Sequence, residues 1–259
     1  MTASARENFT SALRRLGLAA GELLMVHSSL KSLGPQRPSP EELIGALREV
    51  LGARGTLLMP ALSYKQQPHN IHKTAETPSN VGVLPECFRR SPGTIRSLHP
   101  THSVCGVGPA AEELLAGHEQ DDTPCGPCSP FRRILDREAK IVMLGCGLGP
   151  NTAMHALEEF VEPPYLFGDT CEYQITTAAG KQYSKKYRTH DFEGWNQRYD
   201  RVSLLSETNL FVTGAVLDAS AFVINTKELK RSVLSKLRED PLFFVDKINA
   251  NKALGGARK

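Results

Sequence analysis

KIVMLGCGLGPNTAMHALEEF, residues 140–160, is the stretch from which the rest of the chain can be organised. Ile141, Val142, Met143 and Leu144 form a short apolar run of the kind a buried strand presents. Gly145, Gly147 and Gly149 then turn the chain. Pro150, Asn151 and Thr152 carry helix-start signals, because Asn151 or Thr152 can accept a bond from a first-turn amide. On the helix that follows, His155, Glu158 and Glu159 stand at i, i+3 and i+4, so an imidazole and a carboxylate share one face. A strand, a tight turn and a helix start delivering such a pair form the layout of an active-site core. A histidine in such a place can equally be a structural residue bonded to backbone.

A chain of 259 residues with 40% hydrophobic and 23% charged content suits a water-soluble α/β protein. The net charge of +3, with no basic run interleaved with aromatics, argues against nucleic acid as a partner. No segment approaches the roughly 20 apolar residues that span a bilayer, and the N-terminus lacks the apolar core of a secretory signal. The six cysteines are dispersed in a chain too large to need staples, which fits reduced thiols and a cytoplasmic setting. With no internal repeat or low-complexity linker, residues 1–248 read as a single domain, followed by a frayed tail over 249–259.

Earlier in the chain, residues 22–27 read as a strand that enters the turn Ser28-Ser29-Leu30-Lys31-Ser32-Leu33-Gly34. Backbone amides, hydroxyls and a lysine after a strand make a possible anion cradle, although the Gly-Lys-Ser/Thr ending of a Walker loop is missing. Ser39-Pro40-Glu41-Glu42 spells a capping box with proline at the first helical position. Residues 55–60 make a further strand, and 63–80 a long polar loop of the sort that serves as a lid or binding flap. Residues 170–177 and 181–187 flank Ala179-Gly180 as a hairpin, and His190-Asp191 behind it is a second histidine–carboxylate pair.

Other chemistries are weaker. His69-x-x-His72, His99-x-x-His102 and Cys125-x-x-Cys128 could each give two metal ligands, but loop histidines and a turn cysteine pair are the simpler reading. The glycines at 145, 147 and 149 miss the dinucleotide fingerprint, whose third glycine falls one position later after a first strand. Ser28 and Ser29 lack a nucleophile elbow, and Cys105 and Cys146 read as packing residues on apolar strands.

Four segments occur in an order and spacing that resemble the CoA-dependent aminoglycoside 3-N-acetyltransferase family. They are VHSSLKSLG (26–34), PGTIRSLHPTHSVCGVG (92–108), the 123–130 turn ending in Ser-Pro, and MLGCGLGPNTAMHALEE (143–159). The resemblance covers nearly the whole chain. It implies a three-layer α/β/α sandwich with a central mixed sheet, distinct from the GNAT fold, and transfer of an acetyl group from acetyl-CoA to a primary amine. By the same resemblance, His27, Ser28, Ser29, Leu30, Lys31 and Ser32 would hold the cofactor's pyrophosphate. Arg96, Ser97, His99, Ser103 and Val104 would line its pantetheine arm, and His155 would lie at the reacting centre.

The residue types suit that reaction. An amine must lose a proton to attack a thioester, a histidine can take it, and a carboxylate can hold the ring. His155 is expected as the base with Glu158 or Glu159 as orienter, His190 with Asp191 being the rival pair. A backbone amide or the Thr152 hydroxyl would stabilise the oxyanion. Glu158, Glu159, Glu162, Asp169 and Glu172 would form an acidic patch for a cationic acceptor, an aminoglycoside or another amino-sugar-like amine. No metal is expected, and a homodimer is possible. The competing classes are a metal-dependent hydrolase built on the His and Cys pairs, and an acyl-CoA-binding protein without turnover.

Overall fold

The computed structural model describes residues 4–205 and 209–248. The expected frayed tail over 249–259 lies outside the described residues. In chain order, the first half contains α1 (Ala5–Arg15), β1 (Leu23–Ser28), α2 (Pro40–Leu51), β2 (Thr56–Pro60), β3 (Ile71–Lys73) and α3 (Val83–Arg89). There follow β4 (Ile95–Arg96), β5 (Val104–Val107), α4 (Ala111–Leu115), α5 (Pro130–Arg133), β6 (Ala139–Leu144) and α6 (Ala153–Glu158). The remainder comprises β7 (Phe167–Thr176), β8 (Gln182–His190), β9 (Trp195–Gln197), β10 (Phe211–Val216), β11 (Ala219–Asn225), α7 (Thr226–Glu239) and β12 (Val245–Lys247).

Seven strands form one mixed sheet in the order β10-β11-β6-β1-β2-β5-β4. β6, β1 and β2 run parallel, while β11 and β5 flank them antiparallel. The central strands read as unbroken apolar runs because helices cover both faces of the sheet. Side chains alternate across it: Leu24, Val26, Leu57, Met59, Val142 and Leu144 pack with Phe9, Leu13, Leu47 and Phe88 of α1, α2 and α3. Met25, Leu58, Ile141 and Met143 pack with Leu114, Phe131, Leu157 and Leu229 of α4 to α7. The result is the three-layer α/β/α sandwich with a central mixed sheet that the resemblance implied.

The capping box at Ser39 forms in full: its Oγ accepts from Glu42 N at 3.2 Å, and Glu42 Oε2 accepts from Ser39 N at 2.8 Å. The hairpin is longer than its expected bounds, and β3 pairs parallel to β7 in a second, three-stranded sheet. The 63–80 loop is therefore no free flap. Arg96 fixes it from below, donating to the carbonyls of Ala61, Thr74 and Thr77 and to the hydroxyls of Ser63 and Ser103.

Candidate active site

The parallel strands β1 and β6 end side by side, with Ser28 opposite Leu144. Loops leaving that edge converge there, as they do in open α/β sheets. Ser29 N donates to Leu144 O and Gly145 N donates to Ser220 O, both at 2.9 Å, which ties both turns to the sheet. Gly145 has φ +68°. A Cβ at that position would come 2.9 Å from Ser32 Cβ and 3.1 Å from Ala219 Cβ, so the close approach of the turns requires glycine.

Beyond the turn, Asn151 rather than Thr152 serves the helix start, its Oδ1 accepting from Ala153 N at 3.2 Å. Thr152 is already helical and makes no side-chain cap. It lines, with His27, Ser28, Cys146 and Pro150, a narrow cavity of about 80 Å³. His27 Nε2 and Ser28 Oγ are buried there without partners, and burial pushes the His27 imidazole down to about 3. Cys146 sits in the turn on this cavity wall and not on a strand. The 80–85 segment divides between two hollows: Val81 and Pro85 wall the cavity, while Asn80, Gly82 and Val83 line a groove of about 770 Å³.

One turn along α6 from Thr152, the histidine–carboxylate pairs separate into two dyads. Glu158 is fully buried and accepts from Tyr199 Oη at 2.6 Å and Tyr165 Oη at 2.8 Å. Tyr199 has one hydroxyl proton, and that proton points at Glu158; its oxygen therefore accepts from His155 Nδ1, 2.8 Å away. Direct separation of His155 Nδ1 and Glu158 Oε2 is 3.4 Å. These bonds hold a proton on Nδ1, so Nε2 is the nitrogen that carries the lone pair in the neutral ring.

Glu159 serves the other histidine. Its Oε1 lies 2.7 Å from His190 Nε2 and accepts from Cys125 N at 2.7 Å, and its Oε2 accepts from Thr123 Oγ1 at 2.6 Å. Burial raises the Glu159 pKa, partly offset by the Thr123 and Cys125 bonds, and burial drives the His190 pKa well down. The rings of His155 and His190 lie 5.1 Å apart, and His102 stands 5.9 and 5.4 Å from them. Phe167 and Phe192 close over the rings as an apolar wall.

Several expected placements differ. Asp191 is not the partner of His190: adjacent residues at the end of a strand face opposite ways, and Asp191 is exposed beside Gly168. The side chains of Arg96, Ser97, His99, Ser103 and Val104 do not line an open arm-binding channel. Arg96 spends all its donors on the 61–77 segment and Ser103, and Ser103 also donates to Ala61 O. Ser97 meets His118, His99 stacks between His118 and Tyr187, and Val104 is core. The acidic patch is also dispersed, since Glu158 and Glu159 are buried in hydrogen bonds and Glu162 meets Arg188. The cradle residues Ser28, Ser29 and Leu30 are half-buried and Lys31 and Ser32 exposed at the edge, with Ser29 Oγ and Ser32 Oγ 3.0 Å apart.

Tyr199, Tyr165, Thr123 and His102 escaped the reading of the sequence. His102 carried a signal as the second member of His99-x-x-His102, and Thr123 as the start of the 123–130 turn on which the resemblance rests. The tyrosines stand outside any motif and reach the site through the tertiary fold.

A model of the aminoglycoside 3-N-acetyltransferase family matches residues 25–237. Aminoglycoside N(3)-acetyltransferase IV of Salmonella is 32% identical over 238 residues, which is 90% of this chain and 87% of that protein. Aminoglycoside N(3)-acetyltransferase VII of Streptomyces paromomycinus is 32% identical over 75% of this chain and 73% of its own length. A crystal structure of an alanine mutant of aminoglycoside acetyltransferase AAC(3)-IVa, in complex with a gentamicin, superposes at TM-score 0.82 and 30% identity. The match covers 98% of this chain and 95% of that one. The residues that terminate the sheet, shape the glycine turn and pair His155 with Glu158 thus belong to a member of the aminoglycoside 3-N-acetyltransferase family.

Proposed function

We propose that this chain moves the acetyl group of acetyl-CoA directly onto a primary amine of an aminoglycoside, with His155 taking the proton. The observation that carries the reading is the His155–Tyr199–Glu158 relay, which ties Nδ1 to a buried carboxylate and leaves Nε2 as the nitrogen to receive a proton. Acceptors of this class follow from relatives such as AAC(3)-IVa, whose structure holds a gentamicin.

Acetyl-CoA enters as the second substrate, and the residues at the sheet edge fit it. Unpartnered Ser28 Oγ and His27 Nε2 in a slot about 80 Å³ in volume suit a thin polar arm. The Ser29–Ser32 turn and exposed Lys31 suit an anionic tail. As the amine nitrogen attacks the thioester carbonyl, His155 Nε2 removes its proton and becomes an imidazolium. Glu158 stabilises that cation through Tyr199. The Thr152 hydroxyl, whose residue lines the cavity, would donate to the developing oxyanion. Collapse of the tetrahedral intermediate expels the thiolate of CoA. No acyl-enzyme forms, so no nucleophilic serine or cysteine is required. His190, held by Glu159, shapes the acceptor side.

Residues 1–248 act as one acetyltransferase domain in this reading. No helix among the described residues is long and apolar enough to cross a membrane. The six cysteines are unpaired, which supports a reducing, cytoplasmic setting. A homodimer belongs to the same reading and is checked by light scattering. The function is tested by thiol release from acetyl-CoA with gentamicin as acceptor. Amine-dependent release of one thiol per acetylated product is expected. Thioester cleavage that proceeds without an amine, or no cleavage with any aminoglycoside, would overturn it.

A further inference from the structure

We propose that His102, His155 and His190 form a binding site for a divalent ion of the zinc type, and that occupancy of this site arrests acetyl transfer. One ring nitrogen from each of the three lies within 4.8 Å of the others. The ring geometry is closer to a metal centre than that limit suggests. A nitrogen held about 2.0–2.1 Å from zinc puts its ring centre about 3.2 Å from the ion, and tetrahedral angles then separate ring centres by about 5.2 Å. The three separations here are 5.1, 5.4 and 5.9 Å.

One nitrogen of each ring is already tethered. His155 Nδ1 meets Tyr199, which is bonded to Glu158. His190 Nε2 meets Glu159, and His102 Nδ1 meets Thr101 Oγ1 at 2.9 Å. Carboxylate or hydroxyl on one nitrogen, with the other left for the ion, is the pattern that orients metal-binding histidines. His190 supplies the independent observation: its side chain is only 4% exposed, and its Nδ1 is buried without any partner. Two buried carboxylates behind the rings, Glu158 and Glu159, offset a dication that three neutral imidazoles leave uncompensated. Three imidazoles leave a fourth position open for water or a thiolate.

The arrest of transfer rests on the proposed role of His155, because a metal on its Nε2 removes the lone pair that accepts the amine proton. Metal binding itself does not rest on that role. The test titrates zinc sulfate into chelator-stripped full-length chain against a colorimetric zinc chelator, and records the visible spectrum with cobalt(II) in place of zinc. One metal per chain is expected, with a tetrahedral cobalt spectrum lacking a thiolate charge-transfer band. X-ray absorption of the zinc-loaded wild-type chain should show nitrogen and oxygen ligands at about 2.0–2.1 Å and no sulfur. His102→Gln should abolish stoichiometric binding, while Cys128→Ser should retain it. Zinc should lower the transfer rate at least tenfold, reversibly with chelator, and His102→Gln should escape when compared with its own zinc-free rate. Absence of stoichiometric binding, a sulfur shell, or binding that survives His102→Gln would overturn the site. Stoichiometric binding that leaves transfer unchanged would overturn the arrest.

Discussion

Glu158→Gln is the sharpest probe of the relay, because it keeps the side chain's shape and removes its charge, at the cost of turning one of its two acceptor oxygens into a donor. Glu158 is 0% exposed and its Oε2 lies 3.4 Å from His155 Nδ1. With an effective dielectric of about 20, opposite charges at that distance attract by about 5 kcal/mol. In a transition state where the proton is about half transferred, roughly half of this is at stake, about 2–3 kcal/mol. That corresponds to a loss of about 30- to 150-fold in kcat. With its oxygen toward Tyr199 the amide still accepts that hydroxyl, and its NH2 donates to Tyr165 Oη in a reversed bond, so the ring stays in place and the KM values for both substrates should change little. The assay is steady-state thiol release from acetyl-CoA with gentamicin, with a melting curve to confirm that the variant is folded. A folded variant whose kcat stays within about threefold of wild type would refute the argument that the buried charge stabilises the imidazolium.

Three further outcomes follow from the same geometry. Arg96→Ala should destabilise the chain by about 3–5 kcal/mol, since it strips donors from the buried carbonyls of Ala61, Thr74 and Thr77; scanning calorimetry should show a melting temperature lower by roughly 6–20 °C. Gly145→Ala forces a left-handed φ of +68° and a 2.9 Å approach to Ser32. It should raise the KM for acetyl-CoA about tenfold while altering kcat less, as read from thiol-release kinetics. His27, His72 and His118 are pushed down by burial to about 3 from a free value of 6.5. Below the free value the unfolded chain binds protons that the folded chain refuses, so the stability these groups supply is present above about pH 6.5 and drains away as pH falls toward 3. Urea midpoints measured from pH 7 to pH 5 should fall steadily at constant ionic strength.

Local patterns in the sequence were sufficient for what local physics decides. The strand-turn-helix of residues 140–160, the Ser39 capping box and the hairpin behind His190 each follow from patterns a few residues long. The i, i+3 spacing on α6 put His155 and Glu158 on one face, and the fold keeps them there. Spacing could not reveal that Glu159, 31 positions from His190, would replace the adjacent Asp191 as its partner. Nor could it show that a tyrosine 44 positions from His155 would sit between that ring and its carboxylate. Those pairings arise when β8 and the 195–205 segment fold back onto α6, a tertiary event with no local signature. The resemblance assigned Arg96 to the pantetheine arm, and no local pattern could show that its donors are taken up by the carbonyls of Ala61, Thr74 and Thr77.

The central claim is that His155 accepts the amine proton without being needed to hold either substrate. Single-turnover acetyl transfer by His155→Ala, with calorimetric binding of CoA and gentamicin to the same preparation, tests it most directly. Both ligands should bind within about threefold of wild type while the transfer rate falls by at least about 10²–10⁴-fold. A variant that binds both ligands and still transfers acetyl groups at the wild-type rate would contradict the account.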